Sequence, residues 1–475
     1  MLAGWNFRAA REFIDKVVLA RMPAVLFVFG CVFASFLAGV FAVRFGQSSF
    51  PYTWIKSAWL TAGSVKEALA DPVQDDIAGP VNLAPAALQR QRIVPLTAER
   101  PRENILFSGG YKHFLEFCPQ NGCIAVVLDR QGKLVRAYPY PAKQLTTTKR
   151  LVDNPSEVVW DDPTRSSNVI GLAQLPGGDL IVVFHMRRAF PEGGGVARIG
   201  PAGIRWFRRD YTNHWPLVLP NGDILLAGTE VGRGNIRVPV ADGYTHTLQC
   251  PHYTADVIRR LDPNGKEIET IKVFDALLKS PFRSSIATTF LPCDPLHMNF
   301  VVPLGAELSA KVPGTAPDDY LVSMRHISAF GIVSRRSRVF THLYKGSFAL
   351  QHAVQPLGGS KVIMIDNWGA GAGSPPSRVI SYDLVTHEEE SILKLEPSQS
   401  SYFTSGEGVI SISPDRTRAI ATFTVPGTAY EFRLSDGKAI SLMRNLQDVS
   451  SMPSIVQQIG SHSAIFNAHG VYYSR

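Results

Sequence analysis

From Asn104 onward the chain alternates short apolar runs with tight turns, and two kinds of hairpin recur. One kind turns through a Leu-Pro-x-Gly-Asp-like phrase, at Leu175–Asp179 and Leu219–Asp223 and more loosely at Leu357–Ser360 and Ser413–Asp415. The other turns through an Asp-x-x-Gly-Lys-like phrase, at Asp129–Lys133, Asp262–Lys266 and Leu434–Lys438, with Gly200–Gly203 a looser relative. Glycine and asparagine supply the positive φ that such turns need, and the flanking Val, Ile, Leu and Tyr suit a sheet surface. Two hairpins make a four-stranded sheet of roughly 40–50 residues, the period of a propeller blade. The pattern places blades near 168–210, 214–275, 297–346, 352–397 and 405–445. Asn104–Tyr140 and the C-terminal Ile455–Tyr473 supply a sixth, pairing the chain ends to close the ring. With no long amphipathic helix in this region, the expected fold is all-β, a six-bladed β-propeller over 104–475.

The N-terminal pattern is different. Pro23–Val43 carries no charge over 21 residues, enough to cross a bilayer as a helix. Arg8, Arg11, Lys16 and Arg21 precede it and only Arg44 and Lys56 follow within a similar distance, which favours an N-terminus inside and the remainder outside. Phe50, Tyr52, Trp54 and Trp59 then fall where an interfacial belt would be. A cleaved signal peptide is the rival, but the run is long and Phe-Ala-Val-Arg-Phe is a poor cleavage sequence. The predicted organisation is a cytoplasmic segment 1–22, a transmembrane signal anchor 23–43, and a linker 44–103 with a short helix at Ser57–Asp71 and repeated prolines. The propeller 104–475 follows, giving a single-pass inner-membrane protein whose propeller faces the periplasm.

Composition changes this picture little. Charged residues are 19%, aromatics 10%, and the net charge is +8. Lys and Arg are dispersed rather than gathered in a stripe or module, so nucleic acid is not an expected partner. Cys31 lies in the apolar span, leaving an even number of cysteines outside it, as suits an oxidising compartment. Cys118 and Cys123 bracket a short turn and form a natural local disulfide. Cys250 and Cys293 remain as an open pairing, and the spacings do not make a zinc site.

The candidate chemistry sits at strand starts. The first strand of a propeller blade lines the central channel. His214 stands ten residues before Ile224 and His352 ten before Val362, at equivalent positions. His297 joins them once 13 extra residues in its following turn are allowed. The neighbouring blades carry Ile170 and Gly408 there, so histidine is not a feature of the blade itself. Arg325 ends the next strand in the same phase and reads as an anion clamp, while Asp366 and Asn367 read equally as turn formers. His326 falls on the opposite strand face. His185, His246, His252, His387 and His462 share no phase and read as structural or exposed.

With His214 before Leu-Pro-Asn-Gly-Asp, Leu296-His297-x-Asn299 before Leu-Val-Ser-Met-Arg325-His326, and Gln351-His352 before Ile365-Asp-Asn367, the chain resembles the bacterial PAPS-independent arylsulfotransferase family over roughly 104–475. The resemblance implies a six-bladed propeller without cofactor or metal, an aryl sulfate donor and a phenolic acceptor. It also implies that His352 is the nucleophile that becomes transiently sulfated, with His214, His297 and Arg325 binding sulfate and handling protons. Trp215 and Ala353 stand where relatives often carry acidic or polar residues. The added residues between His297 and Arg325, with the loop Gly228–Cys250, are expected to reshape the channel mouth. Two alternatives use the same scaffold. One is a hydrolase with a metal on the three histidines, against which Arg325 would repel the cation; the other is a non-catalytic membrane-anchored binding platform.

Overall fold

The apolar runs are strands buried on both faces, which is why many of them read as continuous rather than alternating. The computed structural model describes residues 91–153, 167–186, 194–241, 243–368, 377–395, 404, 406–448, 450–451, 463–466 and 468–474. The span 23–43, its flanking segments up to residue 90 and His462 lie outside the described residues. No helix among the described residues is long and apolar enough to cross a membrane.

Six antiparallel sheets of at least four strands follow one another as blades. The first pairs Ile105–Ser108, Cys123–Leu128 and Leu134–Pro139, with the C-terminal strand Val471–Tyr473 on its channel edge. The second runs outward from Ser167–Gln174, the third from Thr212–Val218, the fourth from Met298–Pro303, the fifth from His352–Gly358 and the sixth from Val409–Ile412. The predicted turns form as read. Asp129 Oδ1 accepts hydrogen bonds from the amides of Gln131 and Lys133, and Asp262 Oδ1 from those of Asn264 and Lys266. Gly132 and Gly265 take φ of 79° and 81° in these turns.

Strand alternation assigns each side chain to one of two blade junctions. In the third blade Leu225 and Ala227 pack with Met298, Val301 and Val322 of the fourth, while Ile224 and Leu226 pack with Ile181 and Val183 of the second. In the fifth, Val362 and Met364 face the fourth blade, and Ile363 and Ile365 face the sixth. Every junction carries such an apolar cluster, including that between the last blade and the first. Each fully buried aliphatic side chain contributes about 1.5–3 kcal/mol, so the fold is held around its whole circumference.

Two strands were not foreseen. Ile93–Pro95, within the predicted linker, pairs with Ser441–Met443 as an outer fifth strand of the sixth blade, and Arg150–Asp153 adds to the second in parallel. Both are short edge strands without periodicity to reveal them. The added residues before Arg325 also sit differently from expectation. They carry the short helix Gly305–Ser309 and leave the strand Met298–Pro303 at the end away from His297. The hairpin Ile236–Ala241/Tyr244–Leu248 is the insertion on the histidine side, and a Cys250–Cys293 disulfide ties its base to the loop ahead of His297. Cys118 and Cys123 are also bonded.

Ring closure has a polar lock as well as a strand. Glu431 of the sixth blade is buried and takes Arg130 of the first blade at 2.6 Å and Arg418 at 3.0 Å. The Tyr473 hydroxyl of the closing strand donates to the same carboxylate at 3.1 Å, and Ser441 Oγ does so at 3.1 Å. Glu431→Ala leaves Arg130 and Arg418 on Glu103 alone and the Tyr473 and Ser441 hydroxyls without this acceptor, so it should cost about 1–3 kcal/mol, read as a lowered denaturant midpoint. A loss under about 1 kcal/mol, the range of an exposed ion pair, would deny the lock this role.

Candidate active site

Each predicted histidine stands at a break in the channel strand. The ladder shifts register between Asn213 and Leu217, between Met298 and Phe300, and between His352 and Gln355. Such bulges re-aim a side chain relative to regular pleating. His214 and His297 have φ of 60° and 52°, and Leu350 and Ala353, which flank His352, have 54° and 57°. Non-glycine residues held there cost energy unless their surroundings dictate it, and they cluster at functional sites. By three residues beyond each histidine regular pairing has resumed, with Leu217 on Leu225, Phe300 on Ser323 and Gln355 on Ile363.

The three imidazoles meet at one level. His214 Nε2 lies 3.2 Å from His297 Nε2. The His214 ring centre is 5.1 Å from that of His297 and 5.9 Å from that of His352. Below them Trp215, Phe300 and Val409 pack together with Tyr472 and close the channel with an apolar floor. The cavity of about 490 Å³ beyond that floor opens to the other face. Trp215 is therefore a floor residue, and its indole NH donates to the His469 carbonyl at 3.2 Å.

Hydrogen bonds fix the tautomer of His352. Its Nδ1 lies 2.7 Å from Asn367 Oδ1 and 3.0 Å from the Leu350 carbonyl, both acceptors, so Nδ1 carries the hydrogen. The orientation of Asn367 is itself determined, because its amide nitrogen donates to the carbonyls of Thr404 and Glu407 at 3.1 and 2.8 Å. Burial and the nearby Arg325 charge hold His352 down at about 3, so it is neutral and Nε2 keeps its lone pair. Gln351 anchors the approach, its side-chain nitrogen reaching Ala329 O at 2.8 Å while Asn299 Nδ2 donates to Gln351 O at 2.7 Å. Asp366 is buried and holds the Ala349 amide at 3.0 Å and the Arg378 guanidinium.

Opposite, Asp294 organises a second group. His297 Nδ1 donates to Asp294 Oδ2 at 2.5 Å. Burial disfavours the Asp294 charge, but His297 outweighs it and holds the carboxyl well below the usual range. Burial, with the charges of His297 and Arg325, keeps His214 neutral, well below its ordinary value. His326 was expected on the far face of a strand. That strand ends at Met324, and Arg325–Ile327 form a 3-10 turn, which swings His326 into a stack on His297 at 4.4 Å between ring centres. Arg325 Nη1 donates to His326 Nε2 at 2.7 Å, and His326 Nδ1 donates to the Asp294 carbonyl at 2.5 Å. Burial and the His297 charge hold His326 at about 3.

Possible metal-ligand atoms of Asp294, His297 and His326 lie within 4.8 Å of one another. The bonding pattern gives both of those Nδ1 atoms a hydrogen, and the Arg325 cation is already seated on His326. This donor set suits an anion better than a metal ion.

Sequence reasoning missed Glu407 and His469. Glu407, with φ of 60°, directly precedes Gly408 and the sixth channel strand, and His469 precedes the closing strand. His469 Nδ1 lies 2.9 Å from Glu407 Oε2. Burial would raise the Glu407 carboxyl, but the charge and hydrogen bond of His469 hold it at about 2. A glutamate between Gly406 and Gly408 was the available signal. His185, read as structural or exposed, lies within electrostatic reach of His214 and Glu407. Arg325 reaches across to the same loop, where a Cβ on Gly406 would stand 3.2 Å from Nη2.

No protein-family model and no curated protein matches the chain. Among solved structures, a protein of unknown function from Bacteroides caccae is 10% identical, with 72% of this chain and 93% of that one covered and a TM-score of 0.42. A functionally unknown protein from Desulfotomaculum acetoxidans is 10% identical over 80% of this chain and 97% of that one, with a TM-score of 0.33. The dihydro-heme d1 dehydrogenase NirN is 9% identical over 84% and 79%, with a TM-score of 0.33. At these scores the likenesses carry no weight for function.

The neutral histidines make the fold acid-sensitive. The unfolded chain takes up protons as pH falls through about 6.5, whereas folded His326 and His352 resist until about 3. Stability is therefore lost on acidification across that window, at ~1.4 kcal/mol per pH unit for each such group. Thermal midpoints should fall steadily from pH 7 to pH 4, and His326→Asn should flatten the slope. An unchanged slope in that variant would show that His326 takes up its proton alike in the folded and unfolded chain.

Proposed function

We infer that the protein transfers a sulfuryl group from an aryl sulfate to a phenolic acceptor, without PAPS, through a sulfated His352. The observation that carries this reading is the fixed neutral tautomer of His352 beside a group of cationic and proton-bearing side chains. A neutral imidazole lone pair can attack sulfur, and the N–S bond forms as the S–O bond to the aryl oxygen breaks, its electron pair leaving on the phenolate. Attack by a second phenol reverses these steps and returns His352, which predicts ping-pong kinetics. The transition state spreads negative charge over sulfuryl oxygens much as phosphoryl transfer does, and fixed donors are the main aid. Arg325 can engage two oxygens, and the His214–His297 pair can carry the proton that the aryl oxygen needs. The dry floor beneath strengthens each of these interactions. The motif resemblance to arylsulfotransferases supports the same assignment of His214, His297, Arg325 and His352. Residues 23–43 would hold the propeller at the inner membrane, facing the periplasm.

Incubation with a labelled aryl sulfate should leave an acid-labile sulfuryl group on the denatured protein, and His352→Asn should abolish it. Labelling that survives in that variant would sink the assignment. Arg325→Gln should slow p-nitrophenyl sulfate turnover on the order of 10²–10³-fold, chiefly in kcat; a change confined to KM would make Arg325 a binding residue only.

A further inference from the structure

A ping-pong sulfuryl transfer releases one phenol with a proton and later receives another, so some group must give up a proton in the first half and regain one in the second. His352 is locked by its Nδ1 hydrogen bonds, and His214 is kept neutral by burial and its neighbours. A standing imidazolium at His214 therefore does not serve. A neutral imidazole can still give up its Nε2 hydrogen if Nδ1 is supplied with another.

His214 Nδ1 is buried and has no hydrogen-bond partner, and the same is true of Asp256 Oδ2. Asp256 lies in the third strand of the third blade, opposite Thr229, and its other oxygen accepts the Met298 amide at 3.1 Å. Both residues line one small polar cavity of about 20 Å³, together with Asn213, Thr229 and Thr254. One buried water needs roughly 10–15 Å³ and at least two polar partners. Leaving a buried polar atom unpaired costs about 1–3 kcal/mol, so a bridging water would satisfy both atoms at once.

We propose that Asp256 is a positioning residue that stores the transfer proton, exchanging it with His214 Nδ1 through one water in this cavity. The role rests on the sulfuryl-transfer reading above. As the aryl oxygen leaves, it takes a proton from the His214–His297 Nε2 pair; His214 Nδ1 takes one from the water, and the water takes one from the Asp256 carboxyl. The carboxylate so formed accepts the acceptor phenol's proton along the same line in the second half-reaction, and no oxidant or external acid is required. The titratable groups facing Asp256 are Asp294 and His297 from the neighbouring blade and the neutral His214 from its own. Burial and the Asp294 charge push the carboxyl up to about 7, a value suited to giving and regaining a proton near neutrality.

The test compares Asp256→Asn with wild type, as full chains, across aryl sulfates whose leaving phenols grow more basic. Single-turnover sulfation of His352 should be little changed for p-nitrophenyl sulfate and reduced about 10²-fold for phenyl sulfate. Thr229→Val, which removes a hydroxyl from the cavity wall without changing charge, should show a weaker form of the same trend. A uniform loss across donors, or none, would overturn the store. An activity-free readout is the infrared band of a protonated carboxyl, present in wild type at pH 6, lost by pH 9 and absent in Asp256→Asn. No such band overturns the store whatever the turnover. The band without sulfation of wild type by any donor would overturn the sulfuryl-transfer reading, and with it the role assigned to the stored proton.

Discussion

Closure of the ring is the constraint on which the site depends. Three consecutive blades can aim their histidines at one point only if the sheets are rotated about a common axis, and that rotation is fixed by the last junction. Pairing Val471–Tyr473 with Ile105–Phe107 supplies the backbone part. Glu431, shared between Arg130, Arg418 and Tyr473, supplies the polar part. The polar part is costly to break because its carboxylate is buried, as the desolvation of an unpaired charge requires. Apolar contact alone is non-directional; the bidentate geometry of a guanidinium on a carboxylate adds a preferred angle.

Within the closed ring, chemistry is placed by repeating one local irregularity. The chain meets the channel at the same height in blade after blade, at His214, His297, His352, Glu407 and His469, with left-handed residues at or beside the first four. The second blade keeps its bulge, between Val169 and Gly171, but carries Ile170 there. The bulge thus belongs to the scaffold, and the histidine is an addition to it. This separation lets an unreactive blade geometry accept a histidine without refolding, and the positive φ that would be a defect elsewhere becomes the device that turns the ring inward.

The fold was legible because propeller turns follow a narrow chemical code. Asp129 and Asp262 capture the amides two and four residues on, and such turns survive in sequence as Asp-x-x-Gly-Lys. The count of ten from histidine to the next strand also survived, since it is set by the hairpin. His326 was misassigned because strict alternation holds only while a strand continues, and Arg325–Ile327 leave it. Asn367 read as a turn former because its meaning lies in the carbonyls of Thr404 and Glu407, some 40 residues on. Asp256 and Asp294 lie within apolar or loop text with no phase to mark them. Local hydrogen bonding leaves a sequence signature; convergence from separate blades does not.

The site's electrostatics before substrate arrives explain why its histidines are neutral. Burial disfavours charge, and Arg325 and His297 add positive potential, so His214 and His352 are both depressed. In the proposed reaction an aryl sulfate would bring one negative charge into this volume. That charge would cancel part of the potential and ease proton movement between buried His214 and part-buried His297. The lock on His352 Nδ1 is indifferent to this change, because it rests on two fixed acceptors rather than on potential. Under that proposal the nucleophile keeps its lone pair while the His214–His297 pair relays the proton that the leaving oxygen requires. Under the proposed reaction, substrate charge and proton supply would be coupled in the order that a sulfuryl transfer needs, with Arg325 adding to the positive potential that holds His214 and His352 neutral.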